Sequence, residues 1–348
     1  MSDSPTQTPV KMNRAGFKYT DYQGLPTTLC KGCGHNSVTN HIINAYFDLG
    51  LAPYNVVKPS GIGCSSKTPA YFIHAGYGIN ATHGRMPSIS LGAKLANSRL
   101  QIIGVSGDGD TASIGTGQFV HILRRNLDMV YVIENNGVYG LTKGQFSATA
   151  EPGAKLKTGE MNDLQDLDLC SMAILCGGSF AARCYSNDAK MMRALIKAAV
   201  SHAGTAVLDV ISPCVTFNNH DGSTKSFDYV KEHDIHLNEV GYVASWDPPE
   251  AELKPGEATK IPLPDGSHLV IRQVSDQHDP RDRLGALKLL EEYRKKGEIL
   301  SGLIYINPDQ PDFTRSCKLN PERALAELSE ADLLPTREQI TSYLSQHG

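Results

Sequence analysis

The chain has 348 residues, 40% of them hydrophobic and 20% charged, which is enough for one large domain or two ordinary ones. Its formal net charge of −4 argues against general nucleic-acid binding and against a polybasic membrane anchor. The N-terminal residues lack the apolar core of a signal peptide, and no apolar run reaches the roughly 20 residues of a membrane span, so we expect a cytoplasmic protein.

Charge is distributed unevenly along the chain. Residues 1–225 carry 19 basic and 15 acidic residues, whereas residues 226–348 carry 14 and 22. The pattern of predicted elements changes at about the same point. We therefore predict an N-terminal arm at 1–25, a main domain at 26–228 and a C-terminal extension at 229–348.

Predicted helices and strands alternate through the main domain. Helical spacing of apolar residues predicts helices at 35–49, 86–98, 113–126 and 188–203, the last with Gly204 as its C-cap. Continuous apolar runs predict buried strands at 55–57, 100–105, 129–133 and 206–211. This alternation predicts the α/β class, with a doubly wound and mostly parallel sheet that binds ligands at the carboxyl ends of its strands.

The C-terminal extension has a different pattern, typical of an α+β segment. A Pro-Asp-Gly turn predicts a hairpin over 260–272. A charged amphipathic helix is predicted at 281–297 and a short strand at 302–306, and the last forty residues are predicted to form short helical pieces broken by proline.

Two polar motifs, Gly-Asp-Gly and Asn-Asn, each follow a predicted buried strand. The Asp108 carboxylate, the Asn136 amide oxygen and the Val138 carbonyl can supply oxygen ligands to Mg²⁺, which prefers near-octahedral oxygen coordination. Gly107 and Gly109 let a diphosphate approach the backbone, and the next helix N-terminus offers amide donors. The sequence therefore predicts a magnesium and diphosphate site, and the paired motifs resemble the thiamine diphosphate motif of thiamine diphosphate-dependent enzymes.

Four of the eight cysteines form a candidate metal site, and in a reducing cytosol we do not expect a disulfide framework. Cys30 and Cys33 form a C-x2-C pair, Cys64 follows in a glycine-rich loop, and Cys214 lies just after a predicted strand. Four thiolates from separate loops can hold a [4Fe–4S] cluster or a Zn²⁺ ion, and their spacing does not distinguish the two. The other cysteines are interpreted as buried small hydrophobes, at Cys170, Cys176 and Cys184, or as an isolated thiol of the tail, at Cys317.

Taken together, these motifs resemble the β subunits of the 2-oxoacid:ferredoxin oxidoreductases, most of all the 2-oxoglutarate type. The similarity covers about residues 20–225. Its specific segments are LPTTLCKGCGH at 25–35, IGCSSK at 62–67, THGR at 82–85, GDGD at 107–110, ENNGVYGLTKGQ at 134–145 and SPC at 212–214.

The resemblance implies three cofactors: thiamine diphosphate, Mg²⁺ and one [4Fe–4S] cluster. It implies that the cluster is held by Cys30, Cys33, Cys64 and Cys214, and the Mg²⁺ by Asp108, Asn136 and Val138. The implied thiamine diphosphate contacts are Ile62, Gly63, Cys64, Ser65, His83, Gly109, Asp110, Gly140 and Leu141, to which the glycine argument above adds Gly107. Cys64 then belongs to a loop shared by the electron donor and its acceptor.

The resemblance also implies the activity and the partners. In that family, CoA-dependent oxidative decarboxylation converts 2-oxoglutarate to succinyl-CoA and CO₂, and electrons pass through the cluster to ferredoxin. An α subunit contributes the glutamate that contacts the aminopyrimidine of the cofactor, and this chain offers no compelling candidate for that role. We therefore expect a hetero-oligomer with an α subunit, and neither a nucleic acid nor a membrane as partner.

Two lysines are candidates for substrate recognition. Lys67 follows the Cys64 loop and can pair with the carboxylate next to the keto group of a 2-oxoacid. Lys143 lies beyond the predicted magnesium loop, and the resemblance implies that it also faces the substrate. Two ammonium groups in one pocket suit a dicarboxylate such as 2-oxoglutarate.

Alternative functions remain open from the sequence. Pyruvate or a branched-chain 2-oxoacid can be the substrate instead of 2-oxoglutarate. A non-redox thiamine-dependent decarboxylase or lyase with a structural zinc ion is a second alternative. A binding subunit with a degenerate site is a third, but it predicts missing magnesium ligands, whereas Asp108 and Asn136 are both present.

Overall fold

The computed structural model describes residues 11–247, 258–274 and 278–347. Residues 1–10 of the predicted N-terminal arm lie outside the described residues. The strands are β1 (Val56–Ser60), β2 (Tyr77–Asn80), β3 (Gln101–Gly107), β4 (Met129–Asn135), β5 (Val138–Tyr139), β6 (Gln145–Phe146), β7 (Phe180–Tyr185), β8 (Thr205–Ile211), β9 (Asp234–His236), β10 (Asn238–Val243), β11 (Thr259–Pro262), β12 (His268–Gln273) and β13 (Ile299–Ile306).

The helices alternate with these strands through the first two thirds of the chain. They are α1 (Gly34–Leu49), α2 (Met86–Ala96), α3 (Thr116–Arg125), α4 (Leu169–Leu175), α5 (Ala189–Ser201), α6 (Phe227–His233), α7 (Arg283–Lys295), α8 (Phe313–Ser316), α9 (Glu330–Leu333) and α10 (Arg337–His347). The last three are short pieces separated by proline-containing segments, as predicted.

An eight-stranded sheet in the order β2-β1-β3-β4-β8-β7-β13-β9 forms the centre of the molecule. Its strands from β2 to β7 are all parallel, whereas β13 runs antiparallel to β7. This confirms the predicted α/β class with a mostly parallel sheet. Because β1, β3, β4 and β8 are neighbours, the loops after these four strands meet at one edge of the sheet.

Both faces of the sheet are covered, because apolar side chains alternate along the buried strands. In β4, Val130 and Val132 point into a core shared with α1 and α5, whereas Met129, Tyr131 and Ile133 point into a core shared with α2, α3, α4 and α7. Burial on both faces explains why this strand reads as a continuous apolar run in the sequence.

Several helix boundaries differ from the predictions by one to three residues, and two of these differences have a clear local cause. Helix α3 begins at Thr116 rather than at Ser113, because a π-helical turn at Gly109–Ile114 precedes it. The prediction that Gly204 caps α5 was wrong: α5 ends at Ser201, and His202 is its C-cap in an extended conformation. Gly204 instead precedes β8 with φ of +136°, where a Cβ would lie 2.6 Å from the Asn126 side chain.

The C-terminal extension contributes both a separate sheet and a strand of the central one. Strands β11 and β12 form the predicted hairpin, and β12 pairs with β10 in a three-stranded antiparallel sheet. Strand β13 joins the central sheet beside β7, so the boundary at 228 stays a prediction. None of the helices in the described ranges is long and apolar enough to cross a membrane.

Candidate functional site

A cavity of about 110 Å³ lies at the carboxyl edge of the central sheet, where the loops after β1, β3 and β4 meet. It is lined by each residue predicted to contact magnesium or thiamine diphosphate, namely Ile62, Gly63, Cys64, Ser65, His83, Gly107, Asp108, Gly109, Asp110, Asn136, Val138, Gly140 and Leu141. The fold thus brings together residues that lie up to about eighty positions apart in the sequence.

Asp108 follows β3 directly, and its carboxylate is buried beneath this cavity. Its Oδ2 accepts hydrogen bonds from Thr149 Oγ1 at 2.7 Å, from the backbone N–H of Gly137 at 3.2 Å and from the Ser147 hydroxyl. Its Oδ1 accepts one bond, a longer one of 3.3 Å from the backbone N–H of Asn136. Burial raises the pKa of Asp108 above its ordinary value, and the bonds from Ser147, Thr149 and Asn136 oppose that rise.

The loop after β4 is held against Asp108 by its own hydrogen bonds. The Asn136 side-chain Oδ1 accepts from the backbone N–H of Val138 at 3.1 Å, and the Asn136 carbonyl accepts from Asn218 Nδ2 at 2.8 Å. Tyr139 packs so closely over Gly109 that a Cβ there would lie 2.5 Å from the tyrosine ring. Only glycine therefore lets this loop close over the backbone beside Asp108.

Asp110 already has protein partners on both of its carboxylate oxygens. Oδ1 accepts from the backbone N–H of Gly84 at 2.8 Å, and Oδ2 accepts from Ser106 Oγ at 2.9 Å. The first of these bonds holds the turn that carries His83 at the cavity. In this structure Asp110 therefore fixes the position of His83 as well as lining the cavity.

Ser65 presents a hydroxyl that has no partner in the protein. Its Oγ is buried and makes no hydrogen bond within the described structure, although it lines the cavity. A Cβ on Gly107 would lie 3.1 Å from that oxygen, so glycine at this position leaves room beside the hydroxyl. An unsatisfied buried hydroxyl is costly, and a polar ligand in the cavity would remove that cost.

Three of the four candidate cluster cysteines are half-buried, and Cys30 is exposed. The sulfurs of Cys64 and Cys214 both lie close to Gly140, at 3.7 and 3.5 Å from the point that a Cβ on that glycine would occupy. Cys33 is near enough to both for their charges to influence it: burial first, then repulsion by Glu134, Cys214 and Cys64, raises the pKa of Cys33 to about 12.

Cys30 joins the same group of thiols. Its thiolate charge would raise the pKa of Cys64, although burial is the main cause of that rise. Its sulfur accepts a hydrogen bond from Thr216 Oγ1 at 3.5 Å, which ties it to the loop that carries Cys214. By contrast, Cys170 and Cys184 are buried within the apolar core, and Cys317 is exposed in the tail, as predicted. Cys176 is only half-buried.

Sequence reasoning missed two buried groups in the cavity wall, His35 and Glu134. Glu134 has no exposed surface and accepts from Thr68 Oγ1 at 3.0 Å, while His35 Nδ1 lies 2.6 Å from Ser212 Oγ and its Nε2 lies 3.7 Å from Glu134. Burial raises the pKa of Glu134 well above its ordinary value and lowers the pKa of His35 to about 4. An acidic residue at the end of an otherwise apolar strand was the signal for this pair.

Neither of the lysines proposed for substrate recognition lines the cavity. Lys67 is half-buried and near enough to Cys64 for its charge to lower the pKa of that thiol, against the larger effect of burial. Lys143 is exposed, with φ of +81°, in the loop after β5. A role for either lysine stays a prediction.

A larger cavity of about 450 Å³ lies elsewhere and is lined by none of the predicted site residues. Its walls contain two buried ion pairs, Arg183 with Asp209 and Lys225 with Glu151. Across the described parts of the chain, no group of three or more His, Cys, Asp or Glu side chains is arranged so that it could hold a single metal ion.

Comparisons with known proteins agree with this arrangement. Residues 61–210 match the C-terminal TPP-binding domain of thiamine pyrophosphate enzymes. Subunit β of the 2-oxoacid:ferredoxin oxidoreductase 1 of Aeropyrum pernix is 36% identical over 298 residues, which cover 85% of this chain and 83% of the relative. The 2-oxoglutarate synthase subunit KorB of Methanocaldococcus jannaschii is 35% identical over 229 residues, which cover 64% of this chain and 84% of that subunit.

A solved structure matches nearly the whole chain. It is the 2-oxoglutarate:ferredoxin oxidoreductase from Magnetococcus marinus with 2-oxoglutarate, coenzyme A and succinyl-CoA bound. The TM-score is 0.72 and the sequence identity 27%, and the match covers 94% of this chain and 96% of that chain. The similarity therefore extends through the C-terminal extension.

Proposed function

The chain belongs to the β subunits of the 2-oxoacid:ferredoxin oxidoreductases, and we propose that with an α subunit it oxidises 2-oxoglutarate to succinyl-CoA and CO₂. We propose further that its electrons leave through a [4Fe–4S] cluster to ferredoxin. The observation that carries the proposal is one cavity lined by all the residues predicted to contact Mg²⁺ or thiamine diphosphate, with Cys64 shared between that cavity and the group of four thiols. A cytoplasmic location is part of the proposal, because eight free cysteines suit a reducing compartment.

The cavity residues fit a diphosphate with its cation. Asp108 Oδ1, the Asn136 amide and the Val138 carbonyl would bind Mg²⁺, and the unpaired Ser65 hydroxyl would donate to the cofactor. A cavity of about 110 Å³ is too small for the whole of thiamine diphosphate, so part of the cofactor would lie outside it. When bound, thiamine diphosphate supplies an electron sink that takes up the electron pair freed by decarboxylation.

The arrangement of the four thiols favours a cluster over a single metal ion, whereas their spacing in the sequence does not distinguish the two. In a cluster each thiolate binds a different iron, so the thiolates need not converge as the ligands of one ion must. Burial and mutual repulsion hold the Cys33 thiol protonated, and a positively charged iron would offset that cost. Because Cys64 also lines the cofactor cavity, an electron released there would have a short path to the cluster.

Cysteine substitution tests the proposal. We expect Cys30→Ser and Cys214→Ser, purified anaerobically with the α subunit, to lose iron and to stop CoA-dependent ferredoxin reduction. Cys170→Ser is the matched control, since Cys170 is buried in the apolar core, and it should keep both. Iron and zinc content and absorbance near 400 nm are the measurements. Stoichiometric zinc without iron would contradict the proposal and favour a non-redox decarboxylase.

Substrate choice is tested by comparing 2-oxoacids. If Lys143 pairs with the distal carboxylate of 2-oxoglutarate, Lys143→Ala should lower kcat/KM for 2-oxoglutarate about tenfold or more relative to pyruvate, because a charge-assisted bond contributes roughly 1.5–3 kcal/mol. Lys67→Ala should lower kcat/KM for both substrates alike, since every 2-oxoacid carries the carboxylate that Lys67 is proposed to bind. An unchanged ratio in Lys143→Ala would remove Lys143 from substrate recognition.

A further inference from the structure

The two oxygens of the Asp108 carboxylate have unequal surroundings. Oδ2 accepts from two hydroxyls, those of Ser147 and Thr149, and from the Gly137 backbone. Oδ1 accepts only the 3.3 Å bond from the Asn136 backbone. A carboxylate oxygen has about two lone-pair positions, so Oδ2 is saturated, whereas Oδ1 retains the capacity to bind a cation.

We propose that Ser147 and Thr149 are positioning residues that fix the Asp108 carboxylate so that Oδ1 is the oxygen offered to Mg²⁺. This inference rests on the proposed magnesium site. Mg²⁺ requires near-ideal octahedral geometry, so a carboxylate free to rotate about its last bond would bind it less well. Hydrogen-bonding partners of a metal ligand commonly contribute ten- to hundredfold in metal affinity.

Buried polar groups also lie behind Thr149. Its Oγ1 lies 3.0 Å from Asn135 Oδ1, and Asn135 Nδ2 donates to Asp209 Oδ1 at 2.9 Å. Asp209 in turn accepts from Arg183 Nε at 2.8 Å. The single hydroxyl proton of Thr149 is donated to Asp108 Oδ2, and Asn135 Oδ1 can only accept, so these groups do not form a continuous chain of hydrogen bonds to Asp108. They instead occupy the space behind Thr149 and so limit the positions that its side chain can adopt.

Ser147 is held through its backbone. Its backbone N–H donates to the Gly137 carbonyl at 3.0 Å, which fixes the segment beside the Asp108 loop, and its hydroxyl lies 3.1 Å from Thr149 Oγ1. Both hydroxyl protons are donated to Asp108 Oδ2, so the two side chains are linked through that shared acceptor and not by a hydrogen bond to each other. We expect Ser147 and Thr149 to contribute comparably, because each donates one hydrogen bond to Oδ2.

The test measures cation affinity in the complex with the α subunit. The enzyme is stripped with EDTA, and Mg²⁺-dependent retention of thiamine diphosphate is titrated by equilibrium dialysis. Thr149→Val and Ser147→Ala should each raise the apparent Kd for Mg²⁺ about tenfold, and Thr149→Ser should restore it. Ca²⁺ accepts flexible geometry, so its apparent Kd should rise less than that of Mg²⁺ in Thr149→Val.

Thr205→Val is the matched control. Thr205 is a fully buried threonine at the opposite edge of the sheet, where its hydroxyl donates to the Leu127 carbonyl at 2.8 Å. The Kd of the Thr205→Val variant for Mg²⁺ should therefore stay within about twofold of the wild-type value.

Asp108→Ala distinguishes failure of the positioning inference from failure of the proposed magnesium site. If Asp108→Ala loses Mg²⁺ but Thr149→Val and Ser147→Ala bind it normally, the positioning inference is overturned and the site stands. If Asp108→Ala binds Mg²⁺ and cofactor normally, the proposed site itself fails.

An equal loss of Mg²⁺ and Ca²⁺ affinity in Thr149→Val, together with no restoration in Thr149→Ser, would also overturn the inference. Such a result would mean that the substitution damages the loop as a whole. The selectivity ratio is therefore the decisive quantity, because a general structural defect would leave it unchanged.

Discussion

Two buried polar clusters lie at opposite edges of the same sheet and serve different purposes. At the amino edge, Asn126 Oδ1 accepts from Ser179 Oγ at 2.7 Å and from the Thr205 backbone at 2.9 Å, while its Nδ2 donates to the Pro311 carbonyl at 3.2 Å. At the carboxyl edge, Asp108 keeps one oxygen with a single long bond. Both clusters are buried, and what distinguishes the carboxyl-edge cluster is an incompletely used acceptor that lies beside a cavity.

The largest effect is expected at the amino edge. Asn126→Ala should lower the free energy of unfolding by about 3 kcal/mol, because it leaves buried partners unsatisfied and puts alanine at φ of +51°. Urea-induced unfolding followed by circular dichroism measures this change. Asn126→Gly, which tolerates that backbone conformation, should lose about 1 kcal/mol less. Thiamine diphosphate affinity should stay unchanged in both; a clear loss of affinity would show that the two edges are coupled.

At the carboxyl edge we expect the larger effect on cofactor binding and the smaller effect on stability. Asp108→Ala should weaken thiamine diphosphate binding about a hundredfold, equivalent to about 2.7 kcal/mol, because it removes the carboxylate proposed to bind Mg²⁺. The free energy of unfolding without cofactor should fall less than in Asn126→Ala, because removing the carboxylate also removes its cost of desolvation, which offsets part of the loss of its hydrogen bonds. Equilibrium dialysis and urea unfolding measure the two quantities. Tight cofactor retention after desalting would contradict the assignment of Asp108.

The smallest expected effect concerns the stability of the fold at acidic pH. His202, whose Nε2 lies 2.7 Å from Ser179 Oγ in the amino-edge cluster, has its pKa lowered to about 4 by burial. In the unfolded chain His202 therefore binds a proton near pH 6.5, whereas in the folded chain it binds one only near pH 4. The free energy of unfolding decreases as the pH falls through this range. Between pH 6.5 and 5.5 this costs about 1 kcal/mol for one histidine.

His202→Gln tests that contribution, because glutamine does not titrate. The wild type should lose about 1 kcal/mol more than the variant over that pH interval, in urea unfolding with or without thiamine diphosphate. Equal acid sensitivity in both proteins would mean that the proton is taken up elsewhere, for instance by His35 in the cavity wall, whose pKa is also lowered to about 4.

Much of the fold was predictable because it is local in the sequence. Buried parallel strands give continuous apolar runs, and the motifs at their carboxyl ends predict Asp108 and Asn136 at one edge. Ser147 and Thr149 were not predictable, since hydroxyl residues in a loop carry no spacing signal and reach Asp108 only through tertiary structure. Gly204 was misread because a glycine after a helix is usually a C-cap, whereas here it makes room for Asn126.

Strand β13 has a consequence for biosynthesis. It pairs with β7 in the central sheet, yet β7 ends at Tyr185 and β13 begins only at Ile299. While the ribosome is still translating the segment between them, β7 presents an unpaired edge carrying Phe180 and its apolar neighbours, which invites association with other nascent chains. Closing this edge requires a contact between residues far apart in the chain, and such contacts form slowly. The C-terminal extension thus supplies, late in folding, the strand that pairs with β7, and until then the incomplete sheet is prone to aggregate.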